Sequence, residues 1–115
     1  AMKMIAKNQA PDEIFFTSNA SGDGLHSYHL FQVSSKSDHI KFRKNLIDLF
    51  EEKKIGYSAH YKPLHLMTQW MPYSNEKDYT NSEKHFESSL SLPIYPSLSI
   101  EEVKKISCAI YTARV

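Results

Sequence analysis

Apolar residues in this chain come in short alternating or helically spaced sets separated by polar, turn-forming stretches, and that spacing predicts the elements. The segment to about Asp12 is mixed and helix-compatible, suiting a short helix or arm. Pro11 then turns the chain into Ile14, Phe15, Phe16 and Thr17, a β-leaning run. Ser18 to Gly24 (SNASGDG) concentrates Ser, Asn, Asp and Gly and predicts an exposed turn or loop. His26 to Val33 (HSYHLFQV) predicts a strand with His29, Phe31 and Val33 on one face. Ser37 and Asp38 can cap a helix whose Phe42, Leu46, Leu49 and Phe50 fall at i, i+4, i+7 and i+8. Lys53 and Lys54 suit that helix's negative end, and Gly56 is the natural C′ stop.

Ile55 to Tyr61 (IGYSAHY) is β-leaning, and Pro63 takes the chain out of the sheet. Lys62 to Asp78, with two prolines and the single tryptophan, predicts an irregular but ordered loop. Thr80-Asn81-Ser82-Glu83 and Ser99-Ile100-Glu101-Glu102 both match the capping box, so a helix is expected from each. The last would bury Ile100, Val103, Ile106 and Ile110. Leu90 to Pro96 (LSLPIYP) is extended between these helices. No internal repeat is present. The predicted class is α+β: a small antiparallel or mixed sheet with helices on one face.

Size changes this picture by exclusion. A chain of 115 residues, 41% apolar, can bury one core but leaves no room for a large cofactor-binding domain as well. Ala1 ahead of Met2 reads as the remnant of an expression tag. The net charge of +1, from 14 basic and 13 acidic residues without long like-charge blocks, gives no electrostatic footprint for nucleic acid. No apolar run approaches the roughly 20 residues that span a bilayer. The single cysteine, Cys108, has no internal disulfide partner, and no secretion signal opens the chain, so a soluble cytoplasmic protein is expected.

Six histidines invite a metal site, but His60 and His65 are five apart across a proline and the only cysteine lies in the last helix, so no metal is expected. A Cys–His nucleophile pair needs only spatial proximity, yet nothing favours it over a small buried thiol. Three glycines, at 22, 24 and 56, cannot build a phosphate loop. Glu51-Glu52 and Glu101-Glu102 are adjacent and diverge around their helices as solvated faces. His60 to Leu66 (HYKPLHL) differs: it gathers two imidazoles, a phenol and an ammonium around a rigid proline, a set able to hold phosphate or sugar hydroxyls. The plainer reading, that His60 and Tyr61 satisfy backbone groups while Leu64 and Leu66 pack, stands beside it. Met67, Trp70, Met71 and Tyr73 suit a hydrophobic plug or docking surface.

HSYHLFQV, a helix, KKIGYSAHYKPLHL and then YTNSEKHFESSLSLPIYPSLSIEEVKKI, in that order, resemble the carboxyl-terminal part of the DegT/DnrJ family of sugar aminotransferases. The resemblance runs from about residue 26 to 110. It divides the chain into an arm and loop at 1–25, which match no family signature, and a small carboxyl-terminal domain at 26–115; the MTQWMPYSNEKD stretch belongs to a variable region. It implies the small domain of a fold-type-I transferase dependent on pyridoxal phosphate (PLP), which aminates a nucleotide-linked keto sugar for surface polysaccharides or antibiotics, usually as a homodimer. Cofactor and Schiff-base lysine would belong to a large domain outside this chain, so this chain alone is expected to bind no PLP and to be inactive. Carried onto the matching positions, His60, Tyr61 and His65 would face the sugar nucleotide, with Lys62 near phosphate; their role would be substrate positioning, and no residue here is expected to be catalytic. Other readings are a free-standing nucleotide-sugar binding module and an interaction protein using the Trp70 region.

Overall fold

The computed structural model describes residues 14–17, 24–74 and 79–114; the expectations for the opening arm, for most of the 18–24 loop and for the end of the 62–78 loop lie outside them. In chain order the elements are β1 (Ile14–Phe16), β2 (Phe31–Ser35), α1 (His39–Glu52), 3₁₀ turns at Leu64–Leu66 and Met71–Tyr73, α2 (Thr80–Ser88), β3 (Leu90–Leu92) and α3 (Ile100–Thr112). The three strands form one antiparallel sheet with β2 in the centre. Val33 pairs with Phe16 on one side and Leu90 on the other, while Phe31 pairs with Leu92. Because side chains alternate across a strand, this register gathers Ile14, Phe16, Phe31, Val33, Leu90 and Leu92 on one face. Phe42, Leu46 and Phe50 of α1 and Ile106, Ala109 and Ile110 of α3 belong to the same core cluster, and α2 packs on α1. The α+β class with an antiparallel sheet is therefore observed. The opposite face of the sheet carries Phe15, Gln32, Ser34 and Ser91.

Two predicted strands shrink. His26 to Leu30 stands outside the ladder: Tyr28 takes a positive φ of 51° and donates its N–H to His26 Nδ1 at 2.8 Å. The aromatic run thus folds back on itself, pairing starts only at Phe31, and His29 is exposed outside the strand. Ile55 to Tyr61 contributes a single bridge, in which Ser58 and Ser91 exchange N–H···O bonds of 3.2 and 2.8 Å. β3 offers little more to pair with, since Pro93 follows it and supplies no N–H.

Local hydrogen bonding decides the helix ends. Asp38 caps α1 by accepting from Lys41 N–H. At the other end Lys54 N–H donates to the Glu51 carbonyl and Ile55 N–H to the Phe50 carbonyl at 2.8 Å, a Schellman motif. Its left-handed C′ residue is Lys54, with φ 53°, and not the expected Gly56. Ile55 follows the turn and packs, partly buried, against the core cluster to which Phe50 belongs, as the residue after such caps commonly does. Ser99 and Glu102 form the expected box at α3, whereas α2 starts after Tyr79 with no side-chain cap. Val103, Ile106 and Ile110 are buried, but Ile100 is 45% exposed, being the first helical residue at the edge of the apolar stripe.

These helix ends set the expected effect of three substitutions. Lys54→Gly relieves the left-handed penalty and should stabilise the fold by about 1 kcal/mol. Gly56→Ala, where an added Cβ meets nothing within 4 Å, should cost nothing; a loss of stability on denaturant unfolding of either variant would contradict this account. The Ser99 backbone N–H and hydroxyl hold the Glu102 carboxyl below its ordinary value. Its contribution is then present above the ordinary carboxylate range and lost as the pH falls through the lowered value. Glu102→Gln should accordingly destabilise at neutral pH, with the gap to the wild type closing in acid, as thermal melts across pH would show.

Candidate functional site

The polar face of the sheet is where the first candidate residue is fixed. Gln32 and Ser91 are register partners on β2 and β3. The Gln32 side-chain amide donates to the His60 carbonyl at 2.8 Å, and His60 Nδ1 lies 2.9 Å from the Ser91 hydroxyl. The Ser58–Ser91 bridge delivers the chain to this point two residues earlier. His60 is therefore held at its backbone, at its ring and through its approach. Ser91 is only 4% exposed, and this ring satisfies its buried hydroxyl. The His60–Tyr61 peptide is cis, and the two rings lie 4.7 Å apart. Tyr61 and Lys62 are exposed.

His65 is fixed independently. Pro63 is buried and opens the first 3₁₀ turn, whose Leu66 N–H to Pro63 carbonyl bond measures 3.0 Å. His65 Nε2 is 2.7 Å from Glu83 Oε1 on α2, and its ring stacks on Tyr79 at 4.4 Å between centroids and 18° between planes. The imidazole side chain is 12% exposed, against 43% for the carboxylate.

The two histidines line separate clefts. An open cleft of about 590 Å³ lies between the 54–60 segment, the end of β3 and α3, and takes in His60, Ser91, Tyr57, Tyr95, Glu102 and Lys105. Tyr57 donates to Glu51 at 2.7 Å, a bond that holds its phenol above the ordinary value; burial first and then Glu102 do the same for Tyr95. Both phenols stay protonated donors. Lys105 Nζ is engaged on the Lys53 carbonyl. A second cleft of about 350 Å³ is walled by His65, Trp70, Tyr73 and Tyr79 with Pro63 and Leu64. Trp70, Met71 and Tyr73 remain exposed beside it. Among the described residues no group of three or more His, Cys, Asp or Glu is placed to hold a metal, and no helix is long and apolar enough to cross a membrane.

Sequence reasoning missed Gln32, Ser91, Glu83 and Tyr79. Strand alternation carried the signal for the first two, as the polar residues within apolar strands. Glu83 was hidden by its match to a capping box it does not form. Ser91→Ala should leave the fold intact and free the His60 ring, at a cost of about 1 kcal/mol; NMR contacts between the His60 ring and β3 that survive the substitution would count against this anchoring.

Comparison with known proteins bears on the same region. The family model for the DegT/DnrJ/EryC1/StrS aminotransferase family matches residues 5–111. The spore coat polysaccharide biosynthesis protein SpsC of Bacillus subtilis is 32% identical over 88 residues, 73% of this chain and 23% of its own. Among solved structures, Spr1654 of Streptococcus pneumoniae, described as a sugar aminotransferase and determined in its PMP-form, is 26% identical with a TM-score of 0.77 over 97% of this chain and 29% of its own. DesV of S. venezuelae, in complex with a ketimine intermediate, shares the fold at a TM-score of 0.80 and 23% identity, over 99% of this chain and 30% of its own. The chain thus spans less than a third of the length of each.

Proposed function

Since the chain belongs to the DegT/DnrJ/EryC1/StrS aminotransferase family, we propose that it is the carboxyl-terminal part of a PLP-dependent enzyme that aminates a keto sugar carried on a nucleotide. In this reading the chain contributes a substrate-positioning wall and works with a large PLP-binding domain outside it, in a cytoplasmic homodimer serving amino-sugar synthesis. PLP, when bound, supplies the electron sink for moving the amino group. Lys105, in the lining of the larger cleft, donates to a backbone carbonyl, and in this reading no step through the cofactor is assigned to this chain.

The anchoring of His60 is the observation that carries the proposal. A histidine fixed at its carbonyl and at Nδ1 presents Nε2 in a set direction, which is what orienting a ligand requires and what a loosely packed loop residue lacks. Tyr61 adds an exposed phenol and Lys62 an exposed ammonium, a point charge suited to phosphate. Their work is to bind and orient.

In the complete enzyme, His60→Ala is expected to lower kcat/KM for the nucleotide-linked keto sugar about 10- to 100-fold, the loss of one or two well-placed hydrogen bonds. PLP occupancy, read from its absorbance, should not change. Full activity in that variant, or a borohydride-reducible aldimine formed by the 115-residue chain with PLP, would defeat the proposal. The exposed Trp70, Met71 and Tyr73 favour a second reading, an interaction module. That reading requires self-association of the chain that Trp70→Glu abolishes, with no response to nucleotide sugars.

A further inference from the structure

We propose that Glu83 is a positioning residue for His65: its carboxylate keeps the ring proton on Nε2, and so reserves Nδ1 as an acceptor for a sugar or ribose hydroxyl in the aromatic cleft. The ligand half of this inference rests on the sugar-nucleotide reading above; the fixation of the ring does not.

Glu83 has the sequence context of a cap but is used otherwise. Its own N–H donates to the Tyr79 carbonyl, which makes Tyr79 the residue before the helix and puts Glu83 one position beyond the place a capping box needs. The carboxylate then reaches across to His65 Nε2 at 2.7 Å. An ionised carboxylate only accepts hydrogen bonds, so the ring nitrogen facing it must carry the proton. Tyr79 covers one face of the imidazole, and the Pro63-led turn holds its backbone. The ring is thus constrained in both rotation and tautomer.

Among the described residues Nδ1 of His65 has no hydrogen-bond partner, and in the neutral ring it is an acceptor. An acceptor attracts a hydroxyl and repels phosphate oxygens, whose lone pairs offer it nothing. The walls agree with a hydroxylated ring as ligand: Trp70, Tyr73 and Tyr79 supply flat apolar faces, with a few polar groups between them. Glu83 is nearly half exposed, and a pair so placed adds little to folding. Its consequence is orientation.

The test uses the 115-residue chain, labelled with ¹⁵N at histidine, at mildly alkaline pH. The wild type should show His65 as the Nε2–H tautomer with a slowly exchanging ring proton. Glu83→Ala should lose that proton to exchange, and Glu83→Gln, whose amide oxygen still accepts, should restore it. UDP-glucose should move the Nδ1 resonance of the wild type and of Glu83→Gln, with at least ten-fold weaker apparent affinity in Glu83→Ala, and inorganic pyrophosphate should leave it in place. A response to uridine as well assigns the hydroxyl to ribose; a response to UDP-glucose alone assigns it to the hexose. A proton on Nδ1 in the wild type, or a shift of Nδ1 by pyrophosphate, overturns the inference. If UDP-glucose leaves His65 unmoved, whether or not it moves His60, this inference fails, while the proposed function stands or falls on kcat/KM of His60→Ala in the complete enzyme.

Discussion

The placement of Val33 between Phe16 and Leu90 is the constraint on which the remaining structure depends. Only 1% of this side chain is exposed, in the middle of the central strand, with α1 and α3 closing the same core. A strand repeats every two residues, so a slip of one position would carry Phe31 and Val33 to the polar face and Gln32 into the core. Burying an amide there without partners costs more than any exposed contact returns. Burial on one face therefore fixes which residues appear on the other.

That other face is what makes His60 more than a loop residue. Gln32 and Ser91 are neighbours because the register makes them so, and they take hold of the carbonyl and ring of a histidine arriving from the Ser58 bridge. Beyond His60 the chain leaves the sheet and is held again at His65, through Glu83 and Tyr79 of the α2 region. The motif that looks continuous in sequence is thus pinned at both ends by different elements. Its exposed middle, Tyr61 and Lys62, spans between two clefts.

The helical spacing of Phe42, Leu46 and Phe50, the Ser99–Glu102 box and the short strand before Pro93 were legible because each is set by neighbours within a turn or two of chain. The ordered family motifs were legible as well; the match over residues 5–111 includes them and begins well before residue 26, where the resemblance started. What failed were inferences in which a local preference competes with a distant partner. Glu83 could close a cap and instead meets His65; Gly56 could end a helix, yet the turn closes at Lys54 because Ile55 has a core to enter. The run from His26 to Val33 has strand composition throughout, but only its last three residues find partners.

By itself, then, the sequence determined the class of fold, the positions of most helices and the identity of HYKPLHL as the chemically dense segment. Periodicity and composition are local properties that a chain carries before it folds. Tertiary structure decided that Ser91 and Gln32 hold His60, that Glu83 holds His65, and that the two histidines serve separate clefts. Each of those contacts joins residues at least 18 positions apart, and no spacing rule encodes such a pairing until the register of β2 has been set by what it buries.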